Sequence, residues 1–467
     1  MILGINIVLA LFIPWAMGFV ALSFLFDRDE LTVAARFALA FVVGTGILTF
    51  FMLFWSWAGG NFSGIELRVF MSGITVGGAL MALRYKHARF KKEYLLTRDI
   101  PIAPGHVPGR AEFLWELLDI LIVVFLIFHC VYIFWRAFHI PVYGFDPLKI
   151  NALNAKMFYF EKRIVFPLDP VYRGYPLHVS LLQAWMAINI GQWNDQVIKF
   201  FVPFYFASYL VIQYEFVKFL GNARQALWSL GLLLTANLFA LHASLAYMDF
   251  PLMVYTCLTI IFLLLWWLEQ EDRFLYLAAI LGGMGTFVKR EGLAYLVIYG
   301  ILFVLMLIFR QGKGKHDAWF KTGMKFFLPS VTLAVIFPIF KFTHQVNSQG
   351  VLFNLSWCAF SRIPVILSQF FLNFFLSGNW SLVWGLLLLR LLFPSVQGSH
   401  PLFKWFITAI ALFVGLIFFL FLLTNAFFWI AERDTTLSRL ILHFFPLATM
   451  ALVLRPFPCS GRAERRE

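Results

Sequence analysis

Runs of about 20 apolar residues, separated by short polar stretches, follow one another along most of the chain. A helix of roughly this length crosses the hydrocarbon core of a bilayer. The pattern predicts about 13 membrane spans, at residues 3–26, 34–57, 66–84, 116–138, 197–219, 225–246, 250–268, 274–288, 292–309, 322–342, 380–393, 403–424 and 436–454. We therefore expect an all-α polytopic membrane protein.

Two segments between the fourth and fifth predicted spans have a different pattern. Residues 148–160 combine aromatic and basic residues with apolar ones, which is typical of an amphipathic helix at the membrane interface. Residues 176–192 form an apolar run that is short for a crossing. Because polar residues flank this run on both sides, we expect it to lie on the outer surface as well.

The composition agrees with this interpretation. Of the 467 residues, 61% are hydrophobic and 13% are charged, against about 25% charged in soluble domains. The net charge of +13 would suit nucleic-acid binding in a soluble protein, but basic cytoplasmic loops and anionic lipid explain it here. No nucleic-acid partner is therefore predicted. The four cysteines stand apart without a CxxC pair, so we expect neither a zinc site nor a disulfide framework.

Basic residues in short loops indicate which side of the membrane is cytoplasmic. The richest loop covers residues 84–112, and placing it inside also places the loops at 220–224, 269–273 and 310–321 and the C-terminus inside. The same count puts a set of acidic residues and their basic neighbours on the outer face: Asp146, Asp249, residues 289–291 and residues 432–434. We expect a multi-pass protein of the inner or plasma membrane whose functional site faces the periplasm or the exterior.

Two aspartates of this outer set stand at the ends of predicted spans. Asp146 lies in YGFDPLKINALNAK (143–156), a few residues after a span. Asp249 lies in AYMDFPLMVY, where Pro251 suits the first turn of the following helix. A carboxylate near the lipid headgroups is a candidate general base for a reaction on a lipid-linked substrate.

Basic residues accompany the acids at two places. Lys289, Arg290 and Glu291 lie in GTFVKREGLAY, where two predicted spans meet almost without a loop. In RDTTLSRLILHFFPL, Arg439 and His443 are four residues apart and share one helix face. An arginine inside a span is energetically expensive and is usually functional.

The order of these motifs along the chain, and their predicted position on one side of the membrane, resemble those of the GT-C superfamily of polytopic glycosyltransferases. The similar branch is that of the protein O-mannosyltransferases and aminoarabinose transferases. Members carry an acidic residue in the first large outer loop, and Asp146 matches it. A surface helix that begins with a proline-rich motif follows in these proteins, and YPLHVSLLQAW matches that motif here. Asp249 matches a second acid, and FVKREG matches a phrase like TKxEG that opens a later span. The resemblance covers roughly residues 116–310, with a weaker match to the C-terminal RL…P phrase. Three additional predicted spans precede the matching part, and we expect no large soluble C-terminal domain after it.

This resemblance implies three regions in the chain. Residues 1–112 would form a three-span extension with its basic loop, residues 113–310 the catalytic core, and residues 311–467 a transmembrane region that completes the lipid-donor cavity. The implied reaction transfers a sugar, with inversion, from a polyprenyl-phosphate donor to a glycan, lipid or protein acceptor on the outer face.

Each candidate residue has an expected role in that reaction. Asp146 would act as general base, and Asp249 would hold the sugar or, together with Asp146, bind a divalent cation such as Mg²⁺ or Mn²⁺. The departing lipid phosphate needs positive charge, which we expect from Lys289, Arg290 and Arg439. The expected substrate-binding residues are Arg173, His178, Glu291 and His443.

Other interpretations of the same residues stay open. Asp146 would also suit the cap of the following helix, and His178 and His443 would suit hydrogen-bonded packing positions. A transporter, such as a flippase for a lipid-linked sugar, would have as many spans, although transporters hold their coupling charges near the bilayer midplane. A polysaccharide polymerase or ligase that acts on lipid-linked glycans is a third alternative.

Overall fold

The protein is helical throughout the part of the chain that its computed structural model describes. That part comprises residues 2–27, 30–86, 110–169, 173–310, 316–346, 357–393, 400–431 and 436–454. No β-strand occurs among these residues, and the predicted all-α class is confirmed.

Nineteen α-helices follow one another in these ranges. The first nine are α1 (Ile2–Leu25), α2 (Val33–Trp57), α3 (Gly64–Lys86), α4 (Arg110–His139), α5 (Leu153–Glu161), α6 (His178–Ile190), α7 (Val202–Leu220), α8 (Ala223–Leu234) and α9 (Asn237–His242). The others are α10 (Asp249–Glu269), α11 (Asp272–Gly285), α12 (Glu291–Arg310), α13 (His316–Thr343), α14 (Ile363–Phe371), α15 (Val383–Leu392), α16 (Pro401–Leu423), α17 (Phe427–Ala431), α18 (Thr436–Leu442) and α19 (Phe445–Val453). Short π-helical turns (Pro147–Ala152 and Leu372–Leu376) and 3-10 turns (Val197–Lys199 and Trp357–Arg362) complete the helical structure.

Nine helices in the described ranges are long and apolar enough to cross a membrane: α1, α2, α3, α4, α7, α10, α12, α13 and α16. The pair α18 and α19, which meet at a bend of 46°, makes a tenth if it counts as one span. These helices fit the predicted polytopic membrane protein, but the count of thirteen is not confirmed. The predicted spans 225–246, 274–288 and 380–393 correspond to helices of 12 and 6, of 14 and of 10 residues, each too short to cross by itself.

Connections that are far apart in sequence meet at one end of the helix bundle. We call this the loop end, and it comprises residues 140–169, 173–199, 243–248 and 286–290. Hydrogen bonds join its parts: Val142 N to Asp195 O at 3.0 Å, Lys199 Nζ to Ser244 O at 3.0 Å, and His178 N to Phe287 O at 3.2 Å.

Ion pairs mark the opposite end of the bundle. They join Arg224 to Asp119 at 2.6 Å, Lys325 to Asp272 at 2.5 Å, and Arg273 to Glu30. Glu30 precedes α2, and Asp119, Arg224, Asp272 and Lys325 lie in the first halves of α4, α8, α11 and α13. These four helices therefore start at the opposite end and run toward the loop end.

The helix α6 does not lie on the surface as expected from residues 176–192. All of its residues are buried, and Trp185 Nε1 donates a hydrogen bond to the carbonyl oxygen of Ala10 at 2.8 Å. The physical reason is its sequence, HVSLLQAWMAINI, which is mostly apolar and gathers its four polar residues on no single face, so no side of the helix suits solvent. The segment predicted at 148–160 is helical, with a π-helical turn before α5.

The first two helices approach each other closely because small residues face each other. A Cβ atom at Gly18 would overlap the backbone of Ala40, and one at Gly44 would overlap the backbone of Pro14. Small residues commonly permit such close packing between membrane helices. α2 also packs against α6 and α7, so the predicted extension and the predicted catalytic core share one hydrophobic core. The boundaries at residues 112 and 310 stay predictions.

We expect Gly44→Ala to lower the apparent unfolding temperature of the detergent-solubilised protein. The added methyl group has to push two backbones apart, and overpacking of this kind costs about 1–3 kcal/mol. Gly73→Ala in α3 is the matched control, because a Cβ atom there meets nothing within 4 Å. Its stability should equal or slightly exceed that of the unmodified protein, since alanine favours the helix. Equal unfolding temperatures for the two variants would contradict the close contact between α1 and α2.

Candidate functional site

A buried aspartate at the loop end collects three basic side chains from two parts of the chain. Asp249 Oδ1 accepts hydrogen bonds from Lys289 Nζ at 2.9 Å and from His443 Nε2 at 3.2 Å. Its Oδ2 accepts from Arg439, at 2.7 Å from Nη2 and at 3.2 Å from Nε. The side chain of Asp249 is 0% exposed. A carboxylate removed from water in this way is stable only when it is paired and hydrogen-bonded.

Helix ends bring these side chains together. Asp249 is the first residue of α10, where the helix dipole favours negative charge. Lys289 lies in the short turn between α11 and α12, and Arg439 lies on α18. His443 occupies the break between α18 and α19, so the bend of 46° directs its ring toward Asp249.

Arg439 also binds the other aspartate that the sequence singles out. Its Nη2 donates to Asp146 Oδ2 as well as to Asp249 Oδ2, and its guanidinium lies 5.1 Å from the centre of the Tyr247 ring. Asp146 precedes the π-helical turn but makes no capping hydrogen bond to it. Its side chain is 20% exposed, so Asp146 is the carboxylate of the pair that solvent or a substrate can reach.

Lys289 stands between two carboxylates. Its Nζ lies 2.9 Å from Asp249 Oδ1 and 2.8 Å from Glu291 Oε1. Burial alone would lower the pKa of Lys289, but the charges of Asp249 and Glu291 outweigh burial and raise its pKa above the ordinary value. The ammonium group is therefore charged at neutral pH.

Three predicted site residues lie beside this network or apart from it. Arg290 donates to the carbonyl oxygen of Gly174 at 3.3 Å and stacks on the ring of Tyr175. Arg173 donates to two carbonyl oxygens of its own loop, at 2.6 and 2.7 Å. The buried ring of His178 contacts the hydroxyls of Thr49 and Tyr205, each at 2.8 Å. The structure thus brings together Asp146, Asp249, Lys289, Glu291, Arg439 and His443; residues 432–434 lie outside the described ranges.

Tyr295 belongs to the site, although the sequence reasoning missed it. Its hydroxyl lies 2.7 Å from His443 Nδ1. An ionised aspartate only accepts hydrogen bonds, so we assign the proton of His443 to Nε2 and the Tyr295 hydroxyl as donor to Nδ1. Tyr295 follows Glu291 by four residues on α12, and this spacing was the signal that would have found it.

A divalent ion shared by Asp146 and Asp249 has no suitable ligand set in this arrangement. Within the described ranges, no three His, Cys, Asp or Glu side chains are grouped so that they could hold a metal ion. Arg439 and Lys289 already bind Asp249. Two unit charges 4 Å apart repel by roughly 4 kcal/mol at an effective dielectric constant of about 20, and a divalent ion doubles this. An ion at Asp249 would therefore have to displace one of the two cations.

Comparison with known proteins does not assign the chain to a family. No protein-family model matches it, and neither a curated protein nor a solved structure matches it significantly.

We expect the buried His178 ring to make the folded protein less stable in acid. Burial lowers its pKa from 6.5 to about 3. Between these values the unfolded chain binds a proton that the folded chain does not. Stability is therefore fully present above about pH 6.5 and falls with decreasing pH, by about 1.4 kcal/mol per pH unit from this group.

His178→Gln removes this titration and keeps an amide that can bond to the neighbouring hydroxyls. The apparent unfolding temperature of the variant should fall less steeply than that of the unmodified protein between pH 6.5 and about 4. His139→Gln is the control, because that histidine is exposed. Parallel pH profiles for the unmodified protein and His178→Gln would show that His178 is not held neutral.

Proposed function

We propose that the chain is a GT-C-like glycosyltransferase that moves a sugar from a polyprenyl-phosphate donor to a glycan, lipid or protein acceptor. The observation that carries the proposal is the pairing of Asp146 and Asp249 through one guanidinium, with Lys289 on the second oxygen of Asp249. Charged groups buried among membrane helices are expensive and are usually functional. The site combines a reachable carboxylate with cations, and this is the combination that transfer from a lipid phosphate needs.

In the proposed reaction, Asp146 takes the proton of the acceptor hydroxyl or amine. The acceptor atom attacks the anomeric carbon as the bond from that carbon to the phosphate oxygen breaks. The lipid phosphate leaves with the electron pair of the broken bond, and direct attack inverts the anomeric configuration. Asp146 suits the role of base because it is the partly exposed carboxylate of the pair, whereas Asp249 is fully buried.

Lys289 and Arg439 supply positive charge for the phosphate in this proposal. Arg439 reaches Asp146 and Asp249 together, and Lys289 reaches Asp249 and Glu291. A donor phosphate at Arg439 competes with Asp146 for the same Nη2 donor. Donor binding therefore loosens the contact between Arg439 and Asp146 and frees the base for the acceptor. Arg290 lies next to Lys289 in the chain and is the third proposed phosphate ligand.

The proposed arrangement in the membrane follows from the two ends of the bundle. The loop end faces the periplasm or exterior, and the opposite end, with the loop at 269–273, faces the cytoplasm. The thirteen predicted segments then all cross. α8 with α9 and α18 with α19 do so as broken helices, α15 crosses together with the preceding α14, and α11 crosses with residues 286–288, so that Lys289 lies just outside the span. Short helices of this kind are tolerated where protein surrounds them.

A transporter of lipid-linked sugars is the second candidate, and one observation favours it. Broken helices with charged residues at the break are typical of transporter binding sites. α18 and α19 break at His443, whose ring contacts the buried Asp249. The transferase remains our proposal because Asp249 opens a 21-residue span, which places the charged network at one end of the bundle rather than halfway along it.

Asp146→Asn should lower the rate of sugar transfer by about 10²–10⁴-fold, because the amide cannot accept the proton of the acceptor. Binding of the polyprenyl-phosphate donor should persist, since Lys289 and Arg439 remain. The measurement is transfer from a radiolabelled donor by purified enzyme in liposomes. Asp195→Asn is the matched control, because this exposed aspartate lies at the same end of the bundle and its side chain accepts a hydrogen bond from Trp193.

Two outcomes of that assay would contradict the proposal. Transfer by Asp146→Asn at the rate of the Asp195→Asn control would exclude Asp146 as the base. Movement of the intact donor across the liposome membrane, with no transfer to any acceptor, would favour the transporter.

Single cysteines should show that the two ends face opposite sides. In a variant whose four native cysteines are replaced by serine, Leu168→Cys lies at the loop end, and Gln270→Cys follows α10 at the opposite end. Both positions are exposed, so both should react with a membrane-impermeant maleimide when it reaches them. In intact cells we expect labelling of Leu168→Cys alone. Labelling of both variants from outside would overturn the arrangement.

A further inference from the structure

Arg439 occupies the position between two carboxylates at which many enzymes bind a metal ion. One nitrogen, Nη2, donates to Asp146 Oδ2 and to Asp249 Oδ2, and Nε donates a further bond to Asp249. The planar guanidinium has several donors in fixed directions, so it can bind two acids from different parts of the chain simultaneously. A lysine ammonium has no such planar fork.

The two aspartates cannot stand this close without a cation between them. Both carboxylates reach the same nitrogen, and Asp249 has no contact with water. Like charges at such a separation disfavour the ionised form of both groups. Lys289 does not lie between the two aspartates. It binds the other oxygen of Asp249, Oδ1, and its second partner is Glu291 rather than Asp146.

We propose that, until the donor binds, Arg439 takes the place of a bridging metal ion and fixes Asp146 relative to Asp249. The proposal deepens the proposed function, since it assigns the bridging cation of the same site. It depends on the geometry of the three side chains alone, so its test gives a result even if the protein transfers no sugar.

The test compares stability with and without divalent ions. The purified full-length protein is unfolded by heat in detergent, once with millimolar Mg²⁺ or Mn²⁺ and once with EDTA. We expect the same apparent unfolding temperature in all three conditions. An unfolding temperature that is higher with Mg²⁺ or Mn²⁺ than with EDTA would overturn the proposal.

Arg439→Ala tests the bridge directly. The variant should unfold several degrees earlier, because two neighbouring carboxylates lose their common cation. Millimolar Mg²⁺, Mn²⁺ or guanidinium should restore part of this loss by occupying the vacated position. Arg439→Ala combined with Asp146→Asn should no longer respond to the divalent ions, since one of the two charged ligands is gone. An Arg439→Ala protein that responds to neither kind of cation would contradict the bridging role.

If Arg439→Ala does not fold, Arg439→Lys provides a second test of the bridging role. Lysine preserves the charge but binds the two acids less well, so the unfolding temperature should lie below that of the unmodified protein and stay insensitive to divalent ions. Stability equal to that of the unmodified protein would show that a point charge suffices. In the transfer assay, the unmodified enzyme should keep its activity in EDTA. If no transfer is found while the stability results hold, the proposed function fails and the bridge stands.

Discussion

The paired, fully buried carboxylate of Asp249 is the constraint on which the loop end depends. It lies among apolar helices, where an unpaired charge would cost several kcal/mol. Lys289 satisfies it from one stretch of the chain, and Arg439 and His443 satisfy it from another. Each of these partners fixes a helix end: the turn before α12, the helix α18, and the break between α18 and α19. Through Arg439 the same charge also holds Asp146, which places the partly exposed acid at a defined distance from the buried one.

The long spans could be predicted because length and apolar composition alone make a crossing helix. This criterion worked for α2, where residues 34–57 were expected and Val33–Trp57 is observed. The criterion was less successful where a helix is short or broken, as at α8 and α9. The break at Thr235 does not change the hydropathy of the segment, so hydropathy alone predicts one continuous span there. The expected surface position was wrong for α6, whose polar flanks resemble those of a surface helix, although its 13 residues agree with the expectation that it is too short to cross. Only the packing around it shows that the helix is buried.

The candidate site was predicted in part. Counting basic loops put Asp146, Asp249 and Lys289 on one face, and the structure brings all three into one network. The pairings could not be predicted, because which oxygen of Asp249 meets which cation depends on how helix ends meet in space. The i and i+4 spacing placed Arg439 and His443 together but did not show that both bind the same carboxylate. His178 was predicted to bind substrate because it lies in the motif YPLHVSLLQAW. Its contacts with the hydroxyls of Thr49 and Tyr205 could not be predicted, because these residues lie on other helices.

The separation of Asp249 from Arg439 along the chain, 190 residues, has a consequence for biosynthesis. At a translation rate of about 5–20 residues per second, the ribosome needs roughly 10–40 s to reach the arginine after it has made the aspartate. Lys289 is synthesised only 40 residues after Asp249, so the incomplete chain can pair Asp249 with this one cation first. The C-terminal helices then close the network last. A chain that ends before them retains an incompletely neutralised charge at Asp249.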